Sequence, residues 1–128
     1  MTDNNVVTVE AVQDLYAAAL ALDTEKALSY LHPDIVVREP SFLPYGGVHR
    51  GLVEFGQLFT ALMAVIDLPT IRVQSVITDG TTAVARLEGT LCSGEPVEIL
   101  EVWTKRDGRF ATLQVFWFEP LPVLAPRG

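Results

Sequence analysis

Two glutamates stand on strand faces that are otherwise apolar. Glu39 alternates with Ile35 and Val37, and Glu101 lies between Ile99 and Trp103 on one side of a later run. A carboxylate held among apolar side chains loses hydration. Its pKa then rises until it can give or take a proton near neutral pH. An unpaired buried charge at Glu101 would cost several kcal/mol. That residue is therefore expected either to keep its proton and donate a hydrogen bond, or to ion-pair across the sheet with Arg86 or Arg72. Glu39 has a plainer alternative, a pairing with Arg38 or Arg50, or simple solvation. If the two glutamates converge, their environments can divide acid from base work between them.

His49 titrates near neutral pH, and at a pocket rim it could shuttle protons; a solvated loop histidine is the alternative. Arg50 reads as a structural ion-pair partner. His32 follows a short helix, where a favourable contact with the helix dipole accounts for it. The aromatic residues Tyr16, Phe42, Tyr45, Phe59, Trp103 and Trp117 recur at core periodicities. With Leu15, Ile99, Leu113 and Val115 they are expected to wall an apolar cavity in which a few polar groups orient a small molecule. The run Leu43-Pro44-Tyr45-Gly46-Gly47 fits either a hinged lid or a rigid turn.

Other chemistries find no support. The sequence has no phosphate-binding glycine loop, no dinucleotide fingerprint after a strand, and no His-Glu-x-x-His helix. Two histidines and one cysteine make a His/Cys metal site unexpected, and no cofactor is implied. Cys92 flanks a turn with no histidine near it in sequence, a poor setting for a nucleophile.

The elements that must position these residues fall into two groups. Thr8 is a natural N-cap for a helix carrying Val12, Leu15, Tyr16, Ala19 and Leu22, with Glu10 in its first turn. Asp23 and Thr24 cap a shorter helix that buries Ala27, Leu28 and Leu31 and stops before Pro33. Ile35–Glu39 reads as a strand closed by Pro40, and a loop runs from Ser41 to Arg50. The segment Gly51–Asp67 is amphipathic, with Leu52, Phe55, Phe59, Leu62 and Ile66 in one stripe, and Pro69 is expected to end that helix. Four β-rich runs follow, separated by Asp79-Gly80, Ser93-Gly94 and Asp107-Gly108, each able to supply the positive φ of a tight hairpin turn. Three helices followed by an antiparallel meander make an α+β fold. Near the end of the sheet both faces are apolar: Leu113, Val115 and Trp117 share one side, Phe116 and Phe118 the other. Three helices cover only one face, so the open face is expected to meet a second copy in a homodimer, unless the tail covers it.

The 128 residues suit one domain over 1–128, with a short polar N-terminus at 1–7 and a Pro-rich tail at 120–128. Hydrophobic residues make up 49%, too many for a disordered chain. The net charge of −7 argues against nucleic acid, which needs clustered Lys and Arg. A single cysteine excludes an intrachain disulfide. A polar Met1–Asn5 stretch and the lack of a long apolar run lead us to expect no signal peptide and no membrane span. A soluble cytoplasmic protein is the simplest reading.

The order of elements resembles the nuclear transport factor 2-like superfamily, which includes ketosteroid isomerases and SnoaL-like polyketide cyclases. The resemblance runs from about Val9 to Glu119. Its carriers are the Leu22-Asp23 junction, the segment from His32 to Pro40, Gly46-Gly47-Val48-His49-Arg50-Gly51, and the hairpin from Glu101 to Phe110. It implies a cone, in which a strongly curved mixed or antiparallel sheet wraps three N-terminal helices in a cystatin-like arrangement around a deep apolar pocket. In ketosteroid isomerases a carboxylate just before a proline is the general base, and Glu39 holds that place before Pro40. A second, protonated carboxyl on the third long strand steadies the developing oxyanion, and Glu101 aligns there. The family's helix-one tyrosine falls on Leu15 when counted from Asp23. Tyr16 is adjacent, turned by about 100°. The resemblance therefore implies a small cofactor-independent enzyme that moves protons on an apolar carbonyl compound, as isomerase, cyclase or lyase. Glu39 would be the base and Glu101 the stabiliser, with Tyr16, Tyr45 or His49 assisting. The alternative is a non-catalytic ligand-binding or dimerisation module of the same fold. The Asp-Arg-Asp set of limonene-epoxide hydrolases has no counterpart in this sequence.

Overall fold

Thr8 starts the first helix as its sequence suggests, its hydroxyl accepting the Ala11 N–H at 3.1 Å. In the computed structural model, which describes residues 5–119, α1 spans Val9–Leu20 and buries Val12, Leu15, Tyr16 and Ala18. Leu22 then takes a left-handed φ of 59°, turning the chain so that the Asp23 carboxylate caps α2 (Thr24–Ser29). Leu31 does not extend that helix; it opens β1 (Leu31–Glu39). The reason lies across the sheet, where the Phe110 N–H donates to the Tyr30 carbonyl at 2.9 Å and starts strand pairing at once. Pro33 is tolerated inside β1 because the ladder shifts register between Leu31 and Val36, where a missing N–H does least harm.

The expected loop at Ser41–Arg50 ends instead in a short strand, β2 (Gly47–Arg50), antiparallel to β1. Helix α3 covers Gly51–Met63, shorter than its apolar stripe suggested. Ile66 pairs with Leu91 and the Cys92 N–H donates to the Val65 carbonyl, so cross-strand bonding claims the chain before Pro69 is reached. The strand β3 (Ile66–Thr78) holds Pro69 at the sheet's edge, with the register irregular between Asp67 and Arg72. The meander continues through β4 (Thr82–Leu91), β5 (Pro96–Arg106) and β6 (Arg109–Trp117). Positive φ at Gly80, Gly94, Asp107 and Gly108 makes the three reversals that the Xaa-Gly pairs signalled.

The six strands lie in the order β2-β1-β6-β5-β4-β3. Only β1 and β6 run parallel, so the sheet is mixed, and it is curved and unclosed. Helix α1 packs on β3 and β4 while α3 packs on β1, β2 and β3, which leaves a space between helices and sheet. From Ala111 onward β6 alternates as its sequence predicts, with Ala111, Leu113 and Val115 buried and Thr112, Gln114 and Phe116 facing out; Phe110 is buried as well, beyond a register shift in the β5–β6 ladder. The fold is thus α+β, with helices on the concave face. On the convex face Leu100, Phe116 and Phe118 are exposed, Phe118 to 73%. The tail at 120–128, considered as a cover for this face, lies outside the described residues. No helix among the described residues is long and apolar enough to cross a membrane.

Candidate functional site

Between the helices and the concave face lies a cavity of about 270 Å³. Helix α3 contributes Phe55, Leu58, Phe59, Leu62 and Met63 to its wall, and α1 contributes Leu15, Tyr16 and Ala19. Ile66, Leu68 and Ile71 from β3, Leu87 from β4 and Leu113 from β6 complete most of the apolar lining. Into this wall β1 projects Glu39, and β5 projects Ile99, Glu101 and Trp103. The period of two that placed each glutamate among apolar neighbours in sequence therefore brings both carboxyls to one cavity. No Lys, Arg or His is among the described lining residues.

Three side chains join in a hydrogen-bonded chain. The Trp103 indole Nε1–H donates to the Tyr16 hydroxyl oxygen at 2.9 Å, and the Tyr16 hydroxyl donates to Glu101 Oε1 at 2.5 Å. The Tyr16 and Trp103 rings meet edge to face with centroids 6.1 Å apart, and Trp103 meets the fully buried Phe110 in the same way at 5.2 Å. Neither arginine proposed for Glu101 reaches it. Arg86 pairs with Glu88 and Glu98, and Arg72 donates to the carbonyls of Pro69 and Ile71. The Glu39 carboxyl makes no hydrogen bond with any described residue, and neither Arg38 nor Arg50 pairs with it.

The electrostatics follow from this arrangement. Burial pushes the Glu39 carboxyl up to about 8, with the Glu101 charge adding to the rise. Burial also raises Glu101, to about 7, but the Tyr16 hydrogen bond holds it down against that trend. The Tyr16 phenol lies well above its usual range, first through burial and then through the Glu101 charge. Tyr45 is raised as well, by burial and then by the charges of Glu39 and Glu101.

The remaining sequence candidates take other places. Both Leu15 and Tyr16 face inward because the buried stripe of α1 is wide enough to hold adjacent positions, so the one-residue offset does not turn the tyrosine away. Phe42, Tyr45, Val115 and Trp117 are not among the wall residues. Phe42 and Trp117 pack edge to face at 5.9 Å, and Val115 pairs with Glu101 in the ladder. His49 is also off the wall, its Nε2–H donating to the Tyr45 carbonyl at 2.7 Å. His32 is buried and tied into the hairpin, accepting the Asp34 N–H at Nδ1 and meeting Asp107 at 3.2 Å. The segment carrying Tyr45 is a pinned turn: Leu43 and Gly46 donate to the carbonyls of Pro40 and Leu43, and Leu43 and Tyr45 are buried. Phe55 and Leu58 were not singled out for the site, although Phe55 lies one turn from Phe59 on the same helix face. No group of three or more His, Cys, Asp or Glu positioned to hold a metal occurs among the described residues.

Comparison with solved structures agrees with this architecture. A nuclear transport factor 2-like protein of unknown function from Burkholderia pseudomallei superimposes with a TM-score of 0.76 at 21% identity, covering 98% of this chain and 100% of that one. TerC, crystallised with polyporic acid, gives 0.72 at 22% identity, with 85% and 89% covered. A protein of unknown function with a cystatin-like fold from Xanthomonas campestris gives 0.72 at 17% identity, with 88% and 91% covered. At such identities the likeness is one of fold. No curated protein matches the chain at a significant level. The SnoaL-like domain model matches residues 12–113, from inside α1 to the cavity-wall residue Leu113 of β6, and the chain belongs to that family.

Proposed function

We propose that this protein binds a small apolar carbonyl compound in the cavity and catalyses carboxyl-mediated proton transfer on it, in the manner of an isomerase, cyclase or lyase. The observation that carries this reading is the convergence of Glu39 and Glu101 in one apolar cavity that offers neither of them a cationic partner. Two such carboxyls do not both ionise readily, and a pair with one member protonated and the other ionised near neutral pH can supply an acid and a base together. The co-crystallisation of TerC with polyporic acid is in keeping with a small-molecule occupant for this fold. We further propose that a second copy covers the exposed convex face.

Hydrogen–deuterium exchange at the α-carbon of 2-tetralone in D₂O, followed by proton NMR, tests the chemistry without requiring the natural substrate. The protein should accelerate exchange above buffer. Glu39→Gln and Glu101→Gln should each remove about 10²-fold or more of that acceleration. Saturable binding of the ketone with no acceleration would instead mark a binding module that keeps the cavity without the reaction.

A further inference from the structure

We infer that the pair of glutamates carries a single proton in one fixed place: Glu39 is the protonated acid and Glu101 the anionic base, with Trp103 and Tyr16 as the residues that set this polarity. The assignment of Glu101 and Glu39 to catalytic roles rests on the proton-transfer reading above. The order of the protons rests only on the hydrogen bonds.

Trp103 fixes the direction of the chain. An indole N–H donates and cannot accept, so at 2.9 Å it occupies a lone pair of the Tyr16 oxygen. The single phenolic hydrogen is thereby directed to Glu101 Oε1, 2.5 Å away. A carboxyl oxygen that accepts this hydrogen bond is stabilised in its ionised form, more so because the donor is itself polarised by a second hydrogen bond. Glu39 has no such help. Among the titratable groups beside it, Glu101 from β5, Tyr16 from α1 and Tyr45 from the turn after β1 are acidic; the basic neighbour is His49 of β2, opposite Val37 in the ladder, whose Nε2–H is already donated to the Tyr45 carbonyl, and the lining supplied by α3, β3, β4 and β6 is not titratable. A carboxyl without a hydrogen-bond donor or a cation in apolar surroundings retains its proton. The raised values of the two carboxyls fall in the same order, about 8 for Glu39 and about 7 for Glu101.

The reaction then balances without another reagent. The free oxygen of Glu101 takes a proton from the carbon beside the carbonyl, and the C–H electron pair moves into the enolate. Glu39 gives its proton to the carbonyl oxygen, so an enol forms between a protonated Glu101 and an ionised Glu39. Return of the Glu101 proton to the same or a conjugated carbon, and of the enol proton to Glu39, restores the starting state. This order is the reverse of the one that the resemblance implies, in which Glu39 is the base. Tyr16 has spent its only hydrogen on Glu101, so it acts through that residue and is a positioning residue, as is Trp103.

Carbon-13 NMR of protein labelled at glutamate δ-carbons reads the order directly, with Glu39→Gln and Glu101→Gln used to assign the two resonances. In the unsubstituted protein Glu101 should titrate below Glu39. Tyr16→Phe, which keeps the ring and removes the hydroxyl, should raise the Glu101 midpoint by about one unit or more and invert the order. Trp103→Phe should shift it in the same direction by less. Glu39 titrating first in the unsubstituted protein, or a Glu101 midpoint indifferent to Tyr16→Phe, would overturn the inference. If a variant does not fold, the unsubstituted order alone decides. The titration needs no ketone, so loss of the exchange reaction and loss of this proton order are separate results.

Discussion

Glu39 and Glu101 also link the site to the stability of the chain. Both carboxyls are raised in the folded protein from an ordinary value of 4.5, to about 8 and about 7. Below 4.5 both states of the chain are protonated, and these groups favour the native state fully. As pH climbs from there to about 8, the unfolded chain releases protons that the folded protein still holds, so stability declines across that window. Thermal unfolding between pH 5 and pH 8 should show a falling midpoint for the unsubstituted protein. The Glu39→Gln/Glu101→Gln protein should give a flatter profile that crosses above it toward pH 8. Parallel profiles would show that the two carboxyls are hydrated and that the cavity does not perturb them.

The same residues show what a sequence can carry at the scale of elements. Alternation on β5 and β6 told which side chains share a face, and the Xaa-Gly pairs told where the meander turns, because both are local properties of the chain. Borders decided by distant partners were not legible. Helix α3 stops at Met63 although its apolar stripe runs on, since Val65 and Ile66 are claimed by Cys92 and Leu91 more than twenty positions later. The Tyr16–Glu101 bond joins residues 85 positions apart, so periodicity could place both inside but could not pair them. The turn after β1 offers a test of how firmly elements hold the site. A Cβ at Gly46 would stand 2.4 Å from the Pro40 carbonyl oxygen and 2.9 Å from the Ser41 Cα, both backbone atoms that cannot step aside. Gly46→Ala should therefore destabilise by about 1–3 kcal/mol in urea unfolding. It should also move Tyr45, whose phenol feels the charges of the two carboxyls. Phe110→Ala, which empties the support beneath Trp103, should cost more, about 3–5 kcal/mol. Equal stability of the Gly46→Ala protein would mean that the turn is free to open.

For the whole molecule, the convex face sets the main problem. Leu100 and Phe116 are paired in the β5–β6 ladder and stand about half exposed, with Phe118 beside them. Arg86 and Glu98 border this patch, so it carries both signs of charge around an apolar centre, a pattern suited to contact with its own copy about a two-fold axis. The remaining charge opposes association, because two chains of −7 repel one another. An apolar contact formed against that repulsion should strengthen as salt screens it, whereas one held by ion pairs should weaken. Sedimentation equilibrium at rising salt should therefore show a dimer whose dissociation constant falls, and Leu100→Glu/Phe116→Glu should leave a folded monomer. Because these two residues alternate with Ile99, Glu101 and Trp117 across the sheet, the double variant should leave the Glu39 and Glu101 titrations in place. A monomer for the unsubstituted protein at every salt concentration would remove the second copy from the convex face, and self-association would no longer account for so apolar a surface.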